Sequence, residues 1–301
     1  MIRPACFGSN PVTAPSNRFQ FQDPGVPPRA TQEQARAEFE ELAQALANAD
    51  IEVCVFDDTP DPPKPDAVFP NNWVSFHADG TVVLYPMLAE SRRQERREEI
   101  LAGLVRQHHF RITRTIDLSA HENDGRYLEG TGSLVLDRVH RLAYACLSPR
   151  THLDALGDFA QQLDYEVVSF DALDAAGVPI YHTNVLMCLG ESFAVLCGAS
   201  IRDAARRAAI LKIIADTGHD TIDITLEQMT AFAGNMLELR SRRGEPVVVL
   251  SVRALESLGP EQRARLERHG RLLSASIPTI ERYGGGSVRC MLAEIHLPRR
   301  E

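Results

Sequence analysis

The sequence predicts an α/β protein: a five-bladed β/α propeller of β-β-α-β units with pseudo-fivefold symmetry, its ring closed by the N- and C-terminal segments. Three observations predict it. One order of elements returns along the chain, polar residues recur at one phase of that order, and the last unit breaks off where the N-terminal segment supplies its missing half.

Thr31-Gln32-Glu33-Gln34 has the form of a capping box, and Ala35, Phe39, Leu42, Ala43 and Leu46 follow at helical spacing, so a helix is expected from Gln32 to Asn48. Ile51 to Phe56 is a short β-rich run, and Asp61-Pro62-Pro63-Lys64-Pro65-Asp66 can extend neither helix nor central strand. The first full unit then reads as strand Trp73 to His77, turn Ala78-Asp79-Gly80, strand Thr81 to Tyr85, helix Glu90 to His108 and strand Arg111 to Ile116. Within that helix the charged run Glu90 to Glu99 reads as a solvated face.

The second unit uses Ser133 to Leu136, Leu142 to Cys146, a helix from Thr151 to Leu163, and Tyr165 to Phe170. The third uses Asn184 to Cys188, Phe193 to Cys197, the helix Arg202 to Asp216, and Thr221 to Ile224. The fourth, after an extra short helix, uses Met236 to Leu239, Val247 to Ser251, Glu261 to His269 and Leu272 to Ser276. The fifth opens with Val288 to Leu297 and stops; the helix and strand it lacks are those at Gln32 to Asn48 and Ile51 to Phe56.

At roughly 150 residues per domain, 301 residues allow one or two domains, and the shared ring makes residues 1–301 a single domain. Lysine and arginine number 32 against 41 acidic residues, a net charge of −9, which argues against holding nucleic acid or an anionic membrane by a general positive field. No apolar run approaches the roughly 18 residues that cross a bilayer, and Met1 to Ala14 lacks the order of a signal peptide, so a cytoplasmic protein is expected. The six cysteines form no C-x-x-C pair, which fits reduced thiols better than disulfides or a zinc site. His108-His109 and His121-Glu122 lack metal-protease spacing, and no motif implies a metal or a cofactor.

Asn72, Glu129, His182, Asn235 and Cys290 each fall at or just before the first strand of successive units, 53 to 57 residues apart. In a ring, such positions converge on one central cavity. A cysteine, a histidine and a glutamate brought together supply a thiolate to attack, an imidazole to carry protons and a carboxylate to bind or orient. A lone cysteine is more often a small buried hydrophobe. Here Gly284-Gly285-Gly286 precedes Cys290 and allows close backbone approach to a ligand.

At these residues the sequence resembles the guanidino-group-modifying superfamily, the penteins, which includes arginine deiminases, dimethylarginine dimethylaminohydrolases, agmatine deiminases and amidinotransferases. Gly284-Gly285-Gly286-Ser287-Val288-Arg289-Cys290 resembles their approach to the nucleophile, and Leu128-Glu129-Gly130-Thr131-Gly132 their acidic segment. His182 fits their acid/base histidine, and Ser148-Pro149-Arg150-Thr151 resembles the segment whose arginine receives the substrate carboxylate. Where deiminases carry aspartates that grip a cationic guanidinium, this chain has Asn72, in Phe69-Pro70-Asn71-Asn72-Trp73, and Asn184. An amide offers an acceptor and a donor, which suits a neutral ureido group.

With Arg3-Pro4 and Asn17-Arg18-Phe19-Gln20, the pattern is most similar to the citrulline-utilisation hydrolase branch. The resemblance implies hydrolysis of L-citrulline to ornithine, ammonia and carbon dioxide, with Cys290 as nucleophile, His182 as acid and base, and Glu129, Asn72 and Asn184 gripping the ureido group. Arg150 would pair with the α-carboxylate, Asn71 and Asn235 would add substrate contacts, and the loop around Phe19 and Gln20 would be a lid. A depressed Cys290 pKa is expected only beside a cation. The alternatives are an arginine deiminase, a dimethylarginine-type hydrolase or an amidinotransferase, and from another class a non-catalytic pentein binding protein. A homodimer is a family-level expectation.

Overall fold

The computed structural model describes residues 1–21 and 28–300. It contains five small sheets. Four have three strands each: Val74–Phe76, Thr81–Leu84 and Arg114–Asp117; Val135–Asp137, Leu142–Cys146 and Glu166–Phe170; Met187–Leu189, Phe193–Leu196 and Asp220–Asp223; Leu237–Arg240, Pro246–Ser251 and Arg271–Ala275. In each, the middle strand runs antiparallel to the first and parallel to the third. The parallel step requires a crossover, which the intervening helices supply. The fifth sheet pairs only Ile2–Arg3 with Phe56–Asp57, in parallel.

The middle strands are the buried ones. Leu142–Cys146 and Phe193–Leu196 are buried at every residue, so their apolar runs have no solvent-facing alternation. The helix Leu153–Leu163 places Ala155, Leu156, Phe159, Ala160 and Leu163 on the sheet side, at the spacing that one helix face requires. Full burial of a side chain the size of Phe159 contributes roughly 2–3 kcal/mol by area.

The repeat is present, and several boundaries differ from the sequence expectation. The first helix begins at Pro28, not at a Thr31 cap; proline suits a first turn, and Gln32 donates to the Pro4 carbonyl and accepts from Phe7 N–H instead of closing a capping box. Ile51 to Phe56 is not one strand, since pairing starts only at Phe56. Glu90 to His108 is two helices, Glu90–Arg93 and Glu98–Gln107, with Arg92 at the end of the first and Arg96 in the break both bonded inward, to Asn72 and the Tyr85 carbonyl. The segment is solvated only in part: Glu90, Gln94, Glu98 and Glu99 are exposed, but Arg92 and Glu95 are each 2% exposed. The segment Val288 to Leu297 is a helical turn, Val288–Met291, followed by irregular chain tied by the Arg289 guanidinium to the Leu292 carbonyl and to Glu294.

Short helical turns precede the first strands of three units, Pro70–Asn72, Gly130–Ser133 and Thr183–Leu186, and a fourth, Val288–Met291, precedes irregular chain. Asn184 therefore sits in a turn, where a strand was expected. Hydrogen bonds join these turns in series. Thr131 Oγ1 donates to the Asn71 carbonyl (3.4 Å), Asn184 Nδ2 to the Thr131 carbonyl (3.1 Å), Asn235 Nδ2 to the Asn184 carbonyl (2.9 Å), and Arg289 N–H to Asn235 Oδ1 (3.1 Å). Val288–Met291 in turn packs against Pro70–Asn72.

Candidate active site

The linked turns carry Asn72, Glu129, His182, Asn235 and Cys290 into one buried cluster. Cys290 is 4% exposed, and two amides reach its sulfur: Asn235 Nδ2 at 3.3 Å and Asn184 Nδ2 at 3.6 Å. Burial pushes the thiol pKa up, against the pull of the Ser287 and Asn235 hydrogen bonds, so Cys290 rests as a thiol. No depressed value is found: burial outweighs these bonds and the charge of Arg289, whose guanidinium is bound to Leu292 and Glu294.

His182 Nε2 lies 2.9 Å from Glu129 Oε2. Burial raises the Glu129 carboxyl, but Arg150, His182 and Arg92 outweigh it and hold the group well below the usual carboxylate range. An ionised carboxylate only accepts, so Nε2 carries the proton and Nδ1 holds the lone pair. Burial brings the imidazole down to about 4 despite Glu129, leaving it neutral with a lone pair on Nδ1. Glu129 has little left for a substrate: Oε2 also accepts from Arg150 Nη1 at 3.3 Å, and Oε1 accepts from Leu88 N–H at 3.1 Å. It orients the histidine.

Asn72 Oδ1 accepts from Arg92 Nη1 at 2.8 Å, and its buried Nδ2 has no partner. Asn71 is fully buried with both side-chain atoms unpartnered. Arg150, 2% exposed, is occupied by the N-terminal loop: Nη2 donates to Ser16 Oγ (2.8 Å) and the Thr13 carbonyl (3.1 Å), and the guanidinium lies over the Tyr181 ring. The Tyr181 hydroxyl donates to the Gly285 carbonyl at 2.6 Å, and Asn17 Nδ2 reaches the same carbonyl at 3.3 Å. Gly285 has φ +64°, and a Cβ there would lie 2.6 Å from Asn17 Nδ2 and 2.7 Å from Gln20 N, so the glycine allows the loop to close over the site.

Cys290, His182, Asn72, Arg92, Arg150, Tyr181, Asp66, Thr13 and Asn17 all border one cavity of about 10 Å³, room for roughly a single water. Asn71, Asn184 and Asn235 lie behind it; the last two hold the sulfur. Phe19 and Gln20 lie outside the lining as well: Phe19 packs on Tyr181 and Phe232, and Gln20 Oε1 accepts from Thr13 Oγ1. The residues of the N-terminal loop that border the cavity are Thr13 and Asn17. Sequence reasoning missed these two, along with Asp66 and Arg92. The trace Arg92 leaves in the sequence is an opposite charge three residues on, Glu95, which takes two of its nitrogens at 2.8 and 2.9 Å.

Gly132 is where the cluster has least slack. A Cβ there would run into Asn72 Nδ2 and stand 2.7 Å from His182 Nδ1. Gly132→Ala is expected to lower kcat by ~10²-fold with a smaller effect on the unfolding midpoint, since ångström-scale displacement of a reacting group costs about that much. Steady-state kinetics beside urea denaturation check it.

Acid should destabilise the fold. Folded-state values of about 4 for His182 and about 3 for His77, both lowered by burial, lie below the ordinary 6.5. The unfolded chain therefore binds more protons, and stability falls as pH drops from 6.5 towards 3. Glu129, held below its ordinary 4.5, adds loss in the same direction below that pH. Urea midpoints from pH 7.5 to 4 should fall steadily, and a flat profile between pH 7 and 5 would contradict the buried neutral histidines.

Four small mixed sheets and a two-stranded parallel one, with a thiol, an imidazole and a carboxylate gathered in one buried cluster, define a protein of the guanidino-group-modifying, or pentein, superfamily. A family model described as "N,N dimethylarginine dimethylhydrolase, eukaryotic" matches residues 3–297. The chain belongs to that family, hydrolases acting on the C–N bonds of guanidino compounds.

Among solved structures it is similar to the N-terminal domain of ArgZ, an arginine dihydrolase from the ornithine-ammonia cycle in Cyanobacteria, at 20% identity over 97% of this chain and 95% of that one, TM-score 0.72. Against full-length ArgZ the same likeness spans 39% of that chain. AgrE, solved in complex with L-arginine, is 22% identical over 97% of this chain and 39% of its own, TM-score 0.72. A dimethylarginine dimethylaminohydrolase adduct with S-methyl-L-thiocitrulline is 17% identical over 96% of both chains, TM-score 0.64. No curated protein sequence matches the chain. Among the described residues no helix is long and apolar enough to cross a membrane.

Proposed function

We propose that this protein is a thiol-dependent hydrolase that attacks the terminal carbon of an arginine-like amino acid, and that it accepts the neutral ureido group of L-citrulline. The observation that carries the ureido reading is Asn72. Arg92 fixes its oxygen, so the buried, unpartnered Nδ2 presents a donor beside the cavity. A guanidinium has only N–H groups to offer, whereas a ureido carbonyl oxygen accepts.

In this reading the substrate carboxylate displaces Ser16 and Thr13 from Arg150, which opens the loop. His182 Nδ1 takes the Cys290 proton, and the thiolate attacks the ureido carbon. The C–N bond to the ornithine nitrogen breaks as His182 returns the proton to that amine, leaving an S-carbamoyl enzyme. Water, deprotonated by His182, releases the thiol and carbamate, which falls to ammonia and carbon dioxide. Asn184 and Asn235 steady the sulfur, and Glu129 keeps the histidine in its tautomer. The reading includes a single domain, a closed ring of five units, no resident cofactor and a homodimer.

A second reading is favoured by the family match: the guanidino carbon of arginine or a methylated arginine, with buried Asp66 beside the cavity as its charge partner. Purified protein given L-citrulline, L-arginine or dimethylarginine in turn, with ornithine, citrulline and ammonia measured, separates the two. Ornithine from citrulline supports the Asn72 argument; turnover of arginine or dimethylarginine with none of citrulline rejects it and supports the second.

A further inference from the structure

The geometry points to a zinc-type metal site formed by Glu52, Cys54 and His108, separate from the catalytic cluster. A carboxylate oxygen of Glu52, the Cys54 sulfur and a His108 ring nitrogen all lie within 4.8 Å of one another. Thiolate, imidazole and carboxylate are the donors that Zn²⁺ takes, and three protein ligands leave one position for water. Tetrahedral bonds of about 2.0–2.3 Å set ligand atoms roughly 3.3–3.8 Å apart, so a movement on the order of 1 Å brings the three into range. Rotation of the Glu52 carboxylate, whose side chain is 39% exposed, can supply it.

Two further observations favour a metal over chance proximity. The Cys54 side chain is 6% exposed, yet among the described residues neither its thiol nor the His108 ring has a hydrogen-bond partner. Second, groups that would orient the ligands are in place. Arg299 Nη2 donates to Glu52 Oε1 at 2.6 Å and Nη1 to the His108 carbonyl at 2.8 Å, while Phe56 packs edge-on against the His108 ring. Arg299 thus fixes one carboxylate oxygen and leaves the other, as outer partners of metal ligands do.

The location gives the site a purpose. The fifth sheet has only two residues in each strand, and Glu52 and Cys54 lead into one of them, whereas His108 ends the helix Glu98–Gln107 of the first unit. A metal here ties the smallest sheet to its neighbour.

The test uses the full chain carrying Cys290→Ser, so that the active-site thiol cannot bind metal. Expected are one zinc retained per chain in native mass spectrometry, a thiolate-to-cobalt charge-transfer band on Co²⁺ addition, and a rise in Tm with zinc; Cys54→Ala and His108→Ala should each abolish all three. In the otherwise native chain, Cys54→Ala should keep kcat within about twofold. His108→Ala, at a partly exposed position, covers the case in which Cys54→Ala fails to fold. No retained zinc, or retention in the folded His108→Ala chain, overturns the proposal.

Discussion

Replacing Cys290 by serine is expected to cut turnover by ~10⁴-fold or more while leaving the urea midpoint nearly unchanged. The volume change is small and the two amides at 3.3 and 3.6 Å can still bond a hydroxyl, so the fold loses little. Chemistry loses its nucleophile: a hydroxyl cannot be brought to its anion by a neutral imidazole as readily as a thiol can. The parent enzyme, quenched during turnover, should carry a carbamoyl or amidino adduct on the Cys290 peptide. Near-parental activity in the serine variant would end the covalent mechanism.

Glu129→Gln, though it keeps side-chain shape, should damage rate and stability together. The carboxylate is 0% exposed and faces Arg150, His182 and, at 3.9 Å, Arg92. Without its charge two buried guanidinium groups lose a counter-ion, and removing one partner of such a cluster costs about 3–5 kcal/mol. The amide can also donate to Nε2 and so invert the histidine tautomer, removing the lone pair from Nδ1 and ~10²- to 10⁴-fold of rate. Kinetics together with urea denaturation read both effects. Loss of stability with kcat unchanged would make Glu129 a structural counter-ion only.

The repeating architecture was legible because it is written in periodicity: Leu142 to Cys146 and Pro246 to Ser251 are apolar runs of strand length between turn signals, and both are strands. The helical turns were not. Val185 and Leu186 have strand propensity, yet they lie in a turn whose neighbouring side chains, Thr183 on the Ser133 carbonyl and Asn184 on the Thr131 carbonyl, tie it to the preceding unit. Local preference carries no record of such partners. The same limit hid Arg92. In sequence it belongs to a charged stretch; in the fold Glu95, Asn72 and two backbone carbonyls stand in for its water. Recurrence at one phase found five polar positions without showing which would face the cavity and which the sulfur.

The burial of a protonated Cys290 also bears on oxidative damage. Peroxide attacks thiolates that solvent can reach, and at rest this residue is un-ionised and only 4% exposed. In the proposed mechanism, the loop that keeps Arg150 engaged until a carboxylate arrives would shelter the nucleophile between turnovers. Sulfenylation of Cys290 should then be slow in the idle enzyme and quicken while substrate is being consumed, so that working copies age chemically faster than waiting ones.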